Sequence, residues 1–223
     1  MKDELDQKLV NKYPEIFRNR YGDMRETAMC WGFECGDGWY DLIDNACAVM
    51  DNVIKNQHRH VKWNIDWLAI HDAAIAGNWE PYDTEFNRLH PEKYSEHWTK
   101  EKRDALYIKN KEYYLRTDLA EEKRQDVTPR EWPVAVQVKE KFGTLRFYVD
   151  NTCERMDGAI EMAEYMSGCI CEECGNPGKQ RGGGWIRTLC DKHAEEMGYY
   201  IDDEDELTEE KSPGYLPFGQ PSS

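Results

Sequence analysis

Cysteine and histidine residues near the end of the chain have the spacing of a metal site. Cys171 and Cys174 are separated by two residues, as are Cys190 and His193, and fifteen residues lie between the two pairs. A tight turn can aim two such donors at one point, and the intervening arm can fold back as a hairpin. We therefore predict a structural zinc site with four protein ligands, which leaves no open position for a catalytic water.

The segments around these ligands predict a small zinc module. Residues 176–184 form a glycine-rich loop, 185–189 a return strand, and 191–197 a helix whose first turn carries the second ligand pair. A tight turn at the first ligand pair (171–175), followed by a hairpin and a helix, resembles the order of elements in a treble-clef zinc finger. Cys169 is an alternative ligand, because only one residue separates it from Cys171.

Treble-clef modules also occur in ββα-metal nucleases, so a nuclease is one alternative. Such enzymes need a general-base histidine on the hairpin and further ligands for a catalytic cation. The predicted return strand 185–189 contains no His, Asp or Glu, and His193 is assigned to zinc. The sequence therefore favours a protein that is not an enzyme, without excluding one.

For the other groups of reactive residues we prefer explanations that involve no functional site. Cys30, Cys35 and Cys47, with His58 or His60, could form a second metal site, but their irregular spacing favours buried thiols. An acid–base set is a further candidate, for which we favour solvated charges. A basic patch near the zinc site is another, but it is too small to indicate DNA binding. The acid–base candidates are His71, Asp72, Glu34 and Asp37, and the basic residues are Lys139, Lys141, Arg146, Lys179, Arg181 and Arg187.

The charge balance limits the classes of partner. The chain carries 29 basic and 44 acidic residues, a net charge of −15, and no segment has the basic excess that sequence-independent nucleic-acid binding uses. Nucleic acid is thus an unlikely partner, though not an excluded one. No apolar run reaches the roughly 18 residues of a membrane span. The polar, acidic start is unlike a signal peptide, so we expect a cytoplasmic protein with reduced thiols and no membrane contact.

The apolar pattern predicts an α+β fold with a mostly helical body. A helix over 41–57 has one continuous apolar stripe, and we expect a break at 58–60 before a second helix over 64–76. Residues 78–90 read as a loop around Pro81. The highly charged stretch 91–125 predicts one long helix or a helical hairpin, inserted into the body and projecting from its core.

A β-hairpin and a further helix complete the predicted body. Alternating valines and aromatics predict the hairpin over 134–149, which must pack on the 41–57 stripe because a lone hairpin is only marginally stable. A helix over 153–167 follows, and residues 29–40 read as an irregular, glycine-containing packed loop. The predicted division is a body (1–168) with its charged insertion, a zinc module (169–200) and an acidic tail (201–223) expected to be disordered.

Three blocks of the sequence carry a resemblance to a known family. They are WGFECGDGW at 31–39, VKEKFGTLRFY at 138–148, and CEECGNPG at 171–178 with WIRTLCDKH at 185–193. These blocks resemble a family of uncharacterised bacteriophage and prophage proteins with a C-terminal treble-clef-like zinc finger. The resemblance brings no activity with it. It implies a phage accessory role in the cytoplasm of the host cell, such as binding and inhibiting a host factor.

The sequence therefore favours a non-enzymatic, zinc-stabilised phage accessory protein. It would bind a host or phage protein, for example as an inhibitor of a host defence system. One alternative is a nucleic-acid-associated zinc-finger protein, regulatory or nuclease-like. Another is a protein that sequesters a small ligand or nucleotide in an aromatic pocket lined by Trp31, Trp39 or Trp67. The oligomeric state does not follow from the sequence.

Overall fold

The computed structural model describes residues 1–182 and 184–199, and the expected disorder of 201–223 concerns residues outside this part. The described residues form an α+β fold with helices α1 (Asp3–Lys12), α2 (Tyr40–Ile75), α3 (Glu80–Leu89), α4 (Lys100–Tyr114), α5 (Thr117–Gln125), α6 (Glu154–Ser167) and α7 (Asp191–Glu196). The strands are β1 (Phe33–Glu34), β2 (Val134–Lys141), β3 (Thr144–Asp150), β4 (Lys179–Arg181) and β5 (Arg187–Leu189). Among these helices, none combines the length and the apolar character that a membrane crossing requires.

One hydrophobic core joins the first half of α2, α6 and the β2–β3 hairpin. Ile43, Met50 and Ile54 recur at helical spacing on the inner face of α2 and are fully buried. Leu145 and Phe147 alternate with outward residues of β3 and enter the same core. The predicted hairpin and its packing against the α2 stripe are therefore confirmed, as is the helix predicted over 153–167.

A short parallel strand that we did not predict extends this hairpin into a three-stranded sheet. Phe33 of β1 pairs with Val138 of β2 in a parallel register, beside the antiparallel β2–β3 ladder. Two residues are too few to give an alternating pattern in the sequence. β1 fixes the position of the glycine-containing segment that follows it, residues 36–38.

The predicted break at 58–60 is wrong, because α2 runs without interruption for 36 residues. His58 bonds through Nε2 to the carbonyl oxygen of Arg130 at 2.8 Å, and His60 lies 3.2 Å from the carboxylate of Asp126. These polar residues face the segment that leads into β2. The apolar stripe is interrupted there because this part of α2 contacts a different segment of the chain. The helical backbone itself continues.

The predicted loop over 78–90 is wrong, whereas the helical character predicted for 91–125 is found. Residues 80–89 form α3, and Pro81 lies in the first turn, where its missing N–H removes no helical hydrogen bond. Two separate helices, α4 and α5, occupy most of 91–125. The insertion does not simply project from the core, because Ala120 of α5 is buried against Trp67 and Leu68 of α2. The predicted boundary at residue 168 stays a prediction.

A proline in the middle of α2 tests its continuity. Arg59 is exposed, so Arg59→Pro mainly removes a backbone hydrogen bond and adds a clash with the preceding turn. We expect it to lower the free energy of unfolding by about 3 kcal/mol in urea titrations. Arg59→Ala is the matched control and should change it little. A loss equally small in both variants would mean that the helix is broken at this point.

Candidate metal centre

The four predicted ligands come together in space. Their donor atoms all lie within 4.8 Å of one another, with Cys171 buried, Cys174 exposed, and Cys190 and His193 between these extremes. The sulfur atoms of Cys174 and Cys190 are 3.8 Å apart, and Nδ1 of His193 lies 3.5 Å from the sulfur of Cys171 and 3.2 Å from that of Cys190. Tetrahedral metal–sulfur bonds of about 2.3 Å place sulfur atoms roughly 3.8 Å apart. The cluster can therefore hold a metal ion.

Local backbone geometry explains how each donor reaches the cluster. Gly175 adopts a positive φ of 76°, and its N–H donates to the carbonyl of Cys171 at 2.9 Å, which closes the turn around the first pair. Strands β4 and β5 then bring the chain back in antiparallel register. Cys190 is the N-cap of α7, so Cys190 and His193 lie on the first turn of one short helix. The predicted return strand 185–189 is shorter than expected and forms only at 187–189.

The environment of Cys171 favours the thiolate that a metal ion needs. Burial raises the pKa of this thiol, but hydrogen bonds from the backbone N–H groups of Cys190, Cys174 and Glu173 outweigh that effect. The pKa is lowered to about 7. Thiolates bind metal ions, whereas protonated thiols do not. Cys169, the alternative ligand, is exposed and lies outside the four-residue cluster.

A glycine-containing segment of the body packs directly on the backbone of the first ligand pair. The N–H of Gly38 donates to the carbonyl of Glu172 at 2.7 Å. A Cβ atom on Gly38 would lie 2.2 Å from the carbonyl oxygen of Cys171 and 2.4 Å from the nitrogen of Gly175. A side chain on Gly36 would lie 2.3 Å from the carbonyl oxygen of Glu172. Glycine is therefore required at both positions for the segment to reach the metal site.

A buried ion pair holds the same junction together. Glu172 is only 4% exposed, and its carboxylate accepts hydrogen bonds from the N–H of Gly36 at 3.0 Å and from Arg187 at 3.0 and 3.1 Å. Burial raises the pKa of Glu172, while the guanidinium of Arg187 opposes that shift. The indole N–H of Trp39 adds a bond of 2.8 Å to the carbonyl of Ile170. Segment 36–39 and the metal site thus form one packed unit.

This junction is the part of the site that sequence reasoning missed. The signal in the sequence was the pair Gly36 and Gly38 around Asp37, which predicted only an irregular packed loop. Nothing in that pattern indicates which other segment the glycines approach. The partner segment lies more than 130 residues away in the chain, so only the tertiary structure brings the two together.

The other cysteines considered as ligands behave as core residues. Cys35 and Cys47 are buried, and burial raises the pKa of the Cys35 thiol to about 12 and that of Cys47 well above its ordinary value. Such thiols stay protonated at neutral pH. Among the described residues, they form no metal-type group with Cys30, His58 or His60.

The acid–base candidates are engaged in separate structural contacts, each with a different partner. His71 is buried and bonds through Nδ1 to the carbonyl of Tyr114 at 2.7 Å, while Asp72 pairs with Arg124. Glu34 accepts a bond from Gln137, and Asp37 accepts one from the backbone N–H of Lys2 at 2.7 Å. These four residues are not brought together as a catalytic set.

The proposed aromatic pocket is also divided among different surroundings. Trp39 is fully buried in the main core, and Trp31 is 61% exposed. Trp67 lines a groove of about 360 Å³ together with Trp63 and Tyr114. The three tryptophans therefore do not line one common pocket.

No protein-family model, curated protein or solved structure matches the chain.

Metal content tests the ligand assignment. We expect about one bound metal ion per chain, and Cys174→Ser or Cys190→Ser to lower the occupancy after dialysis at least about tenfold, because a ligand is lost. Cys169→Ser is the matched control and should retain the metal. Elemental analysis by mass spectrometry measures the occupancy. Loss of metal in Cys169→Ser, with retention in Cys190→Ser, would contradict the assignment.

Substituting Gly38 tests the junction. Gly38→Ala should lower the free energy of unfolding by about 3 kcal/mol, because the added Cβ overlaps backbone atoms that cannot move without displacing the ligands. Gly158→Ala is the control, since Gly158 lies in α6 with no atom within 4 Å of the added carbon. That change should stabilise the protein by about 0.5–1 kcal/mol. Equal effects of both substitutions in urea unfolding would show that the junction is not tightly packed.

Proposed function

We propose that this chain is a zinc-stabilised, non-enzymatic protein that binds a protein partner. Three thiolates and one imidazole form a typical donor set for structural zinc, and sulfur ligands disfavour magnesium and calcium. The four protein donors Cys171, Cys174, Cys190 and His193 fill a tetrahedron by themselves, which supports a structural role. The order of turn, hairpin and helix around them supports a treble-clef-like module.

The proposed binding surface lies where the β2–β3 turn meets the loop before β5. We call it the tip surface and define it by Lys139, Lys141, Phe142, Trp185 and Ile186. They line a groove of about 560 Å³. Phe142 and Trp185 are each 67% exposed. Clustered large apolar side chains at the protein surface are characteristic of protein-binding sites, and tryptophan is enriched among residues that dominate binding energy.

The backbone of Phe142 is the single observation that carries the proposal. Phe142 and Gly143 have φ values of 54° and 76° and form the two-residue connection between β2 and β3. A turn with positive φ at both positions strongly prefers asparagine or aspartate followed by glycine. Phenylalanine there costs about 1 kcal/mol, and its exposed ring recovers little by burial. A strained aromatic side chain on the surface is best explained by a contact outside the chain.

The charges of the tip surface indicate the chemistry of the partner. The ammonium groups of Lys139 and Lys141 lie 5.8 and 5.4 Å from the ring centres of Tyr148 and Phe142. Glu140, between them, accepts hydrogen bonds from the backbone N–H of Gly143 at 2.6 Å and the indole of Trp185 at 3.3 Å. The surface therefore suits a segment that combines carboxylates with large apolar side chains.

The partner in this proposal is a protein of the bacterial host or of the phage itself, as the resemblance to phage proteins suggests. Inhibition of a defence system is the specific form of that role. A single-stranded nucleic acid could also use lysines and exposed aromatics. However, the net charge of −15 opposes its approach.

Replacing Phe142 separates binding from stability. Phe142→Asn should raise the free energy of unfolding by about 1 kcal/mol, because asparagine tolerates positive φ. It should also weaken partner capture from bacterial lysate at least about tenfold, because the aromatic contact is lost. The control is Tyr21→Asn, which removes another aromatic that is 74% exposed.

Two results would contradict this proposal. One is that Phe142→Asn captures the same proteins as the unchanged chain. The other is binding of single-stranded DNA at low salt that Phe142→Asn abolishes, measured by fluorescence anisotropy. That second result would assign the tip surface to nucleic acid.

A further inference from the structure

We propose that a groove on the second half of α2 binds a small neutral ligand, a nucleobase with an exocyclic amino group, free or as a nucleoside. We call it the α2–α3 groove, because residues between 63 and 70 of α2 and between 85 and 89 of α3 form most of its lining. Its residues belong neither to the tip surface nor to the metal centre. Its volume of about 360 Å³ suits a small molecule, since such sites enclose about 300–1,000 Å³.

The indole of Trp67 is the feature that points to a ligand. The residue is only 2% exposed, and its indole N–H is buried without a hydrogen-bond acceptor among the described residues. Buried polar groups are nearly always paired, because a donor that leaves water without gaining an acceptor is destabilising. Trp67 lines the α2–α3 groove, so a ligand in the groove can supply the acceptor atom.

Ring stacking holds the indole of Trp67 in place. The ring centre of His71 lies 5.2 Å from that of Trp67 with an interplanar angle of 13°, and the ring centre of Tyr114 lies 5.5 Å away with an angle of 22°. His71 is fixed in turn, because its Nδ1 donates to the carbonyl of Tyr114 at 2.7 Å. The donor of Trp67 is therefore preorganised, and it does not turn freely toward another acceptor.

An organic cation is a less suitable ligand for this groove. Aromatic walls attract cations, but the chain itself already supplies one. The ammonium of Lys123 lies 3.9 Å from the ring centre of Trp63 and 5.4 Å from that of Trp67. An ammonium group also has no lone pair to accept the N–H of Trp67. A neutral ligand with an acceptor atom fits better.

The charged residues of the groove indicate an amino group on the ligand and argue against a phosphate. The carboxylates of Asp66 and Glu85 line the groove beside a single guanidinium, that of Arg88. Arg88 is held by Glu85 through two hydrogen bonds of 2.6 and 2.7 Å, so it is not free to bind a phosphate. Asp66 pairs with the exposed Lys62 at 2.9 Å, a weak contact within α2. Its carboxylate can therefore still accept from an amino group.

Amino-substituted nucleobases combine the required groups. Adenine and cytosine each carry an amino group next to a ring nitrogen with a lone pair, on a planar body. The ring nitrogen can accept from Trp67 while the amino group donates to Asp66. The planar body can pack against Ile70 and Leu89, which also line the groove. Burial raises the pKa of Tyr114, so its phenol stays protonated and can donate to a second acceptor of the base.

Titration with adenosine and with cytidine, followed by NMR, tests the site. The indole N–H signal of Trp67, identified by its loss in Trp67→Phe, should shift downfield as an acceptor binds. Inosine has a carbonyl in place of the amino group of adenosine and should bind at least about tenfold more weakly. Adenosine monophosphate should bind at least about threefold more weakly than adenosine, because the carboxylates of the groove repel its phosphate.

Two substitutions test the contacts, with calorimetry as the measurement. Trp67→Phe keeps an aromatic ring but removes the donor, and it should weaken adenosine binding at least about tenfold. Asp66→Ala changes an exposed residue and should reduce the preference for adenosine over inosine to about threefold or less. Asp51→Ala is its matched control, because Asp51 also pairs with a lysine four residues later in α2, outside the groove. Trp31→Phe, at an exposed tryptophan, is the control for Trp67→Phe.

Three results would overturn the proposal. The first is a Trp67 indole signal that neither adenosine nor cytidine shifts at millimolar concentration. The second is adenosine binding that both Trp67→Phe and Asp66→Ala leave unchanged, which would place the ligand elsewhere on the chain. The third is tighter binding of adenosine monophosphate than of adenosine, which would show that the groove selects a phosphate.

Discussion

The structure depends on one close backbone contact, between segment 36–38 and the first pair of metal ligands. Gly36 and Gly38 have no side chains, and this lets the body touch the carbonyl groups of Cys171 and Glu172 directly. The buried carboxylate of Glu172 then binds both Gly36 and Arg187, so the contact is satisfied on its polar side as well. A carboxylate buried in this way needs such partners, because an unpaired buried charge is strongly destabilising. The candidate metal ligands and the hydrophobic core are thereby fixed relative to each other.

The same arrangement extends from the metal site to the proposed binding surface. The hydroxyl of Thr188, two residues before Cys190, donates to the carbonyl of Gly143 at 2.6 Å. Gln180 reaches the carbonyl of Phe142 at 3.5 Å, and the indole of Trp185 reaches Glu140. Both strands of the small hairpin therefore contact the β2–β3 turn. A metal ion held by the four donors would order that hairpin and so support the strained conformation of Phe142.

The features that sequence reasoning predicted correctly are those set by local spacing. The hairpin around Gly143, the helix that became α6 and the grouping of the four metal donors each follow from patterns within about twenty residues. The reasoning failed where a tertiary contact overrides a local signal. His58 and His60 seemed to interrupt a helix. They lie within α2 and contact Arg130 and Asp126, which lie outside it. The close approach of Gly38 to the first ligand pair depends on tertiary geometry that no local pattern encodes.

The central claim is that metal binding orders the tip surface through the β4–β5 hairpin, which leads directly into the second ligand pair. Amide hydrogen exchange of the full chain, with bound metal and after its removal by a chelator, measures this most directly. The account predicts faster exchange at 143–148 and 187–189 after metal removal, while amides of α2 near Ile43 and Met50 stay protected. Unchanged exchange at 143–148, with the metal demonstrably lost, would contradict it.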